Sequence, residues 1–230
     1  MRALLLAAGF GTRLRPLTNS IPKCLVPIHG KPLLQYWIDT LFPSNIERAL
    51  VNTHYLSERV EQFIKASNWG DSIDIIYEDE LLGTGGTILK NRSFFDNQAF
   101  IVAHADNLTR FDIKRFIMAH HSRPENTEIT MMTFETDDPQ SCGIVELNKK
   151  NVVVAFHEKV ESPPGNKANA AVYIFEPSVI EFLSKLNKNI IDLSTEVLPE
   201  YLNKIYTFHN DDYHRDIGTI ESLELANKEY

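Results

Sequence analysis

Leu6-Ala7-Ala8-Gly9-Phe10-Gly11-Thr12-Arg13-Leu14 stands directly after a short apolar run near the N-terminus. Glycines in such a place let the backbone approach a phosphate closely, and successive N–H groups can cradle its oxygens. Arg13 adds a planar guanidinium suited to a triphosphate, and Lys23, in Pro22-Lys23, is a second cation on the same loop. The motif is not a dinucleotide fingerprint, because Leu14 stands where the third glycine belongs, and no GK[ST] ending makes it a P-loop. Alone it reads more readily as a plain glycine turn with two solvated cations. Asp106 follows the apolar run Gln98–Ala103 and should project from a strand's carboxyl end, while Asp216 lies in His214-Arg215-Asp216-Ile217-Gly218-Thr219. Either aspartate by itself is an ordinary helix cap or turn residue. No serine or cysteine sits in a nucleophile motif with a base, so covalent catalysis is not indicated.

The elements that must hold these residues alternate. Apolar runs at 2–7, 46–53, 73–77 and 98–103 read as strands, and helical spacing marks 31–42, 56–66, 84–92 and 112–121. Strand and helix in this rhythm predict an α/β fold, a Rossmann-like, doubly wound, mixed but mostly parallel sheet. Its ligands are expected outside the strands' carboxyl ends, where the glycine loop lies. The later chain is richer in strands, at 127–134, 143–147, 151–157, 170–175 and 204–209, with a hairpin turn around Asn148–Asn151. Helices are expected at 178–186, at 195–202 and from Ile220 onward. No repeat, linker or low-complexity tract appears, so residues 1–230 are expected to form a single domain.

Composition narrows the function class. The 230 residues are 43% hydrophobic and 23% charged, the balance of a folded globular chain. With 23 basic against 31 acidic side chains the formal net charge is −8, which argues against a nucleic-acid partner bound through a broad basic face. No stretch approaches the roughly 18 apolar residues of a membrane span, and the opening run is too short for a signal peptide. Cys24 and Cys142 form no metal or disulfide pattern, so the expected compartment is the cytoplasm. The eight histidines lack metal-ligand spacing and are expected to be structural.

LAAGFGTRLRPLT followed by PKCLVPIHGKPLLQY resembles the N-terminal signature of the sugar-phosphate nucleotidyltransferases, the NDP-sugar pyrophosphorylases. The resemblance continues in order through Leu82-Gly83-Thr84-Gly85-Gly86, Ala105-Asp106, Glu158-Lys159, Ala168-Asn169-Ala170 and Arg215–Thr219, nearly the whole chain. It implies that an NTP and a sugar 1-phosphate are joined with release of pyrophosphate. Leu6, Ala7, Ala8, Gly9, Gly11, Thr12, Arg13, Glu78 and Gly83 are then nucleotide-binding candidates, with Arg13 and Lys23 as the catalytic cations. Asp106 and Asp216 are the candidate Mg²⁺ ligands, a hard-oxygen pair that such an ion accepts alongside phosphate oxygens and water. Here Ala105 replaces the glycine that usually precedes the first aspartate. Gly143, Glu158, Lys159 and Asn169 are the sugar-phosphate candidates, and a homodimer is the family-level expectation.

The nucleotide is less legible. Glu78 or Glu80 precedes the LLGTGG segment, and a carboxylate can accept from both N1–H and the 2-amino group of guanine. GTP with a mannose- or heptose-type 1-phosphate is therefore the favoured pair, with UTP and MurNAc 1-phosphate as the alternative. The short length also fits those single-domain members. A catalytically silent, regulatory NDP-sugar binder is the reading from another class, and it would be expected to have lost Arg13, Lys23, Asp106 or Asp216.

Overall fold

The computed structural model describes residues 1–44 and 46–230. In chain order its elements are β1 (Arg2–Leu6), β2 (Pro27–Ile28), β3 (Lys31–Pro32), α1 (Leu33–Leu41), β4 (Arg48–Thr53), α2 (Ser57–Lys65) and β5 (Ile73–Tyr77). There follow α3 (Gly83–Lys90), β6 (Phe100–His104), β7 (Asn107–Arg110), α4 (Ile113–His121), β8 (Ile129–Glu135), β9 (Gly143–Leu147) and β10 (Val153–Glu158). The chain closes with β11 (Lys167–Phe175), α5 (Pro177–Lys185), β12 (Ile205–His209), β13 (Tyr213–Asp216) and α6 (Ile220–Glu229). The α/β class with a mixed, mostly parallel sheet, predicted from the strand–helix rhythm, is the fold observed.

Two compact units share the chain, the first made of Met1–Leu81, Ala103–Phe111 and Asp212–Tyr230, the second of Leu82–Val102 and Asp112–Asp211. In the first, β1, β4 and β5 lie side by side in parallel, with Leu6 level with Asn52 and Asn52 level with Ile76. Their centres, Ala3–Leu5 and Ala49–Val51, are buried without alternation, as expected for a parallel strand covered on both faces. In α1 the buried residues Leu33, Leu34, Trp37, Ile38 and Leu41 recur at helical spacing and form one apolar stripe. α6 begins on a reciprocal cap, the Thr219 hydroxyl accepting the Ser222 N–H while the Ser222 hydroxyl accepts the Thr219 N–H.

The second unit is mostly antiparallel: β11 pairs with β8 and β9, and β9 with β10, while β12 runs parallel to β8. The ring of Phe100 packs at 4.0 Å from Phe95 and 5.8 Å from Phe175, which stacks in turn on Tyr173. The predicted turn is present, with Asn151 in the left-handed region and its N–H donating to the Asn148 carbonyl.

The sequence reading departs from the structure in three places. The helix expected at 195–202 is a π-helical turn, Leu193–Val197, capped by Asp192, followed by a 3-10 turn over Leu198–Tyr201. Pro199 lacks the N–H an α-helix needs there, and its ring opposes continuation of the coil. The polar stretch after β1 is organised as three 3-10 turns, Thr12–Leu14, Leu17–Asn19 and Lys23–Leu25. The short ladders β2–β3 and β7–β13 carried no periodicity long enough to read.

Candidate active site

A fully buried cluster, Leu14, Val26, Ile28, Leu33, Leu108, Ile217 and Ala226, lies under the polar residues of the first unit. Leu14 adjoins Arg13, Val26 follows Lys23 by three, Leu108 follows Asp106 by two, and Ile217 adjoins Asp216. Each charged residue is thus an exit point from one apolar anchor, which fixes its backbone. The antiparallel ladder of β13 on β7 sets Asp216 opposite Asn107, immediately beside Asp106. The Ile217 N–H donates to the Asp106 carbonyl at 3.2 Å, and the Ala105 N–H to the Leu6 carbonyl at 3.0 Å. The Ala105 methyl is entirely buried, so the departure from the family's glycine costs the site no exposed surface.

Lys23 is the hub. Its Nζ lies 2.6 Å from Asp106 Oδ2 and 3.2 Å from Asp216 Oδ1, and its side chain is 10% exposed. Burial alone would push its pKa down, but Asp106 and then Asp216 outweigh that, leaving the ammonium held above its ordinary value. Burial likewise pushes Asp106 up, and Lys23 followed by His104 reverses the sign, so the carboxylate is held below its usual range. Arg13 is 68% exposed, its Nη2 3.8 Å from Asp216 Oδ2. A Cβ on Gly218 would meet that Asp216 oxygen at 2.8 Å and the Arg13 nitrogen at 2.9 Å, so glycine is what admits this pair. Four of the residues singled out by sequence therefore form one constellation.

The glycine loop packs against Lys23 at Gly11. Gly11 adopts φ +62°, and a Cβ there would meet Thr18 Cγ2 at 3.0 Å and Lys23 Cβ at 3.1 Å. Its carbonyl accepts from the Thr18 hydroxyl and the Leu14 N–H. Ala8 is buried, while Gly9, Phe10 and Thr12 are exposed at the loop tip. The Ala7 N–H is committed to Asn52 Oδ1 at 2.7 Å, and Asn52 Nδ2 donates to Glu78 Oε1 at 3.1 Å. Asn52 and Glu78 are 3% and 1% exposed. Sequence reasoning missed Asn52, although a polar residue at the end of an otherwise apolar parallel strand was the available signal.

In the second unit, Gly143 faces Glu158 across the β9–β10 ladder, and a Cβ on it would meet Glu158 Oε2 and the Phe156 ring at 2.7 Å. Lys159 follows with φ +50°, its N–H on the Cys142 carbonyl and its Nζ 3.5 Å from Glu158 Oε1. A left-handed lysine is a strained conformation of the kind that gathers at functional sites. Asn169 lies where the β11–β8 register shifts. Its Nδ2 donates to the buried Tyr173 hydroxyl at 2.7 Å, and its Oδ1 accepts the N–H of Ala171, another residue with positive φ. Gly83 has φ +72°, and a Cβ there would fall 2.5 Å from the Ile191 carbonyl oxygen. That same carbonyl accepts the Gly85 and Gly86 N–H groups at the start of α3, so the GTGG segment makes room for the 189–191 backbone.

His120, predicted to be structural, is buried between Thr130 and Glu176 with its pKa pushed down to about 3, first by burial and then by Arg123 and His121. Among the described residues no three His, Cys, Asp or Glu side chains gather as a metal cluster, and no helix is long and apolar enough to cross a membrane.

The description "Nucleotidyl transferase" matches residues 2–230, and the chain belongs to that family. It is 34% identical over 226 residues to a mannose-1-phosphate guanylyltransferase of Mycobacterium tuberculosis, covering 96% of this chain and 62% of that protein. It is 28% identical to a UTP–glucose-1-phosphate uridylyltransferase of Synechocystis, covering 96% of this chain and 61% of the relative. The chain thus spans about three fifths of the length of these curated relatives. Among solved structures, HddC of Yersinia pseudotuberculosis matches with a TM-score of 0.81 at 26% identity, covering 99% of this chain and 98% of HddC. A second HddC structure, in complex with GMP-PN, matches with a TM-score of 0.80.

Proposed function

We propose that the protein transfers a nucleotidyl group from an NTP to a sugar 1-phosphate, with GTP and a mannose- or heptose-type sugar phosphate as the preferred pair. The observation that carries this reading is Lys23 clasped between Asp106 and Asp216, with Arg13 3.8 Å from Asp216, beside the glycine loop. Both cations and both carboxylates are retained, which speaks for a working enzyme over a silent binder.

Asp106 and Asp216 fit a divalent cation, Mg²⁺ in this proposal. They offer hard oxygens close enough to share one ammonium, the donor type such an ion would accept. When bound, that ion supplies charge neutralisation on the phosphate oxygens. The remaining work falls to the chain's own residues. The loop from Leu6 to Thr12 holds the phosphates through its backbone, with Gly9 and Thr12 exposed and Gly11 half-buried between them. Lys23 neutralises charge at the α-phosphorus, and Arg13, on its exposed stem, grips the departing pyrophosphate. A sugar phosphate oxygen, already an anion near neutral pH, attacks the α-phosphorus in line. The new O–P bond forms as the bond to the bridging oxygen breaks, and the electron pair leaves with pyrophosphate. Glu158 accepts from sugar hydroxyls, Lys159 binds the sugar phosphate, and Gly143 leaves space for Glu158. Gly83 is the second unit's nucleotide-binding candidate, and Asn169 is a further sugar-binding one.

Guanine is favoured by the carboxylate of Glu78, which can accept from both N1–H and the 2-amino group, and by the names of the guanylyltransferase relative and of the nucleotide in HddC; the uridylyltransferase relative supports the UTP alternative. Four NTPs assayed against mannose, heptose, glucose and MurNAc 1-phosphates, with pyrophosphate release as readout, test both levels. Asp106→Ala and Asp216→Ala should each lower turnover by about two to four powers of ten while the fold survives. Near-normal turnover in both would remove the metal assignment, and silence of the wild type across the panel would remove the activity.

A further inference from the structure

Asn52 joins two parts of the proposed nucleotide site that come from different strands. It lies on β4, between Leu6 of β1 and Ile76 of β5, at the carboxyl end of the parallel sheet. Its Oδ1 accepts the Ala7 N–H and its Nδ2 donates to Glu78 Oε1. The orientation follows from the partners: an N–H can only donate and a carboxylate oxygen accepts, so a flipped amide would oppose both. A second tie runs alongside. His54 Nδ1 lies 2.7 Å from the Glu78 carbonyl, which requires the proton on Nδ1. The His54 ring stacks with Tyr77 at 6.2 Å and meets Phe10 edge-on at 5.1 Å. The glycine loop is therefore tied to the Glu78 carboxylate and backbone at two points, Ala7 through Asn52 of β4 and Phe10 through His54 just beyond that strand.

We propose that Asn52 is a positioning residue for nucleotide selection, setting the distance between the loop that holds the phosphates and the carboxylate that reads the base. The inference rests on the nucleotide-site reading above. Asn52 is almost wholly buried and acts through Ala7 and Glu78. A buried amide engaged at both ends has one low-energy orientation, because turning it leaves desolvated donors and acceptors unmatched. Base discrimination is sensitive to such placement, since a reading group displaced by about 1 Å loses its hydrogen bonds while the phosphates remain bound.

The test uses the full chain carrying Asn52→Asp or Asn52→Ala. Asn52→Asp keeps an acceptor for the Ala7 N–H but sets one carboxylate against another at Glu78; Asn52→Ala removes both contacts. Calorimetric Kd values for GTP, ITP and UTP, the KM for NTP and for sugar phosphate, and the melting temperature are measured for each. The preferred nucleotide's advantage over the next best should fall on the order of tenfold or more in Asn52→Asp. KM for NTP should rise while KM for the sugar phosphate stays unchanged. Should Asn52→Ala fail to fold, the double variant Asn52→Asp/Glu78→Gln serves with Asn52→Asp, because it exchanges donor and acceptor across the same contact. It should recover the melting temperature and triphosphate affinity, with the base preference still altered. A lowered melting temperature with unchanged nucleotide selectivity would mean a merely structural role and overturn this inference alone. A wild-type protein that binds no NTP would overturn the nucleotide-site reading together with it.

Discussion

Replacing Lys23 by methionine keeps the stem and removes the charge that holds Asp106 and Asp216 together. With the ammonium gone, two carboxylates that now sit 2.6 and 3.2 Å from it face each other without a counter-charge. Breaking a buried pair costs about 3–5 kcal/mol. Asp106 and Asp216 are 30% and 54% exposed at the side chain, so water screens part of the repulsion. We therefore expect a loss of about 2 kcal/mol, equivalent to a melting temperature lower by roughly 4–8 °C for a chain of this size. A divalent cation can stand where the ammonium stood, so Mg²⁺ should restore most of that loss in Lys23→Met and raise the wild type much less. Thermal melts of both proteins, with EDTA and across a Mg²⁺ titration, measure it directly. Equal melting temperatures without metal would refute the electrostatic argument, and equal stabilisation of both proteins by Mg²⁺ would refute the shared position.

Gly218→Ala should leave the fold intact and lower kcat/KM by about tenfold to a hundredfold, since its methyl would force Arg13 away from Asp216; steady-state kinetics check this. Gly143→Ala should raise KM for the sugar phosphate and leave that for NTP unchanged, because the added Cβ displaces the Glu158 carboxylate. Gly86→Ala should cost about 1–3 kcal/mol in denaturant unfolding, its Cβ falling against the Asn189 carbonyl oxygen. His120, with its pKa lowered from 6.5 to about 3, binds its proton more readily in the unfolded chain. Its stability contribution is complete above pH 6.5 and is lost as pH falls toward 3, by about 1.4 kcal/mol per pH unit. Unfolding curves between pH 7 and 4 should therefore be flatter for His120→Gln than for the wild type.

The strand–helix rhythm and the charged motifs were legible because their causes are local. Unbroken apolar runs such as Ala3–Leu5 mark buried parallel strands, the 33–34–37–38–41 spacing marks one helix face, and Gly11 marks a left-handed turn. The sequence by itself therefore determined the α/β class, the glycine loop and the identities of Arg13, Lys23, Asp106 and Asp216. It also carried the proline that ended the expected 195–202 helix, a local signal that the apolar spacing around it obscured. What only the tertiary structure decided is the meeting of those residues. Lys23 touches a residue 83 positions away and another 193 positions away, an encounter arranged by the β7–β13 ladder and the cluster beneath it. Asn52 shows the same division: a polar residue closing an apolar run is a local signal, but its partners Ala7 and Glu78 appear only once β1 and β5 lie on either side. Side-chain type is written residue by residue, whereas long-range register depends on how buried surfaces from distant segments fit together, and no short window of sequence contains that fit.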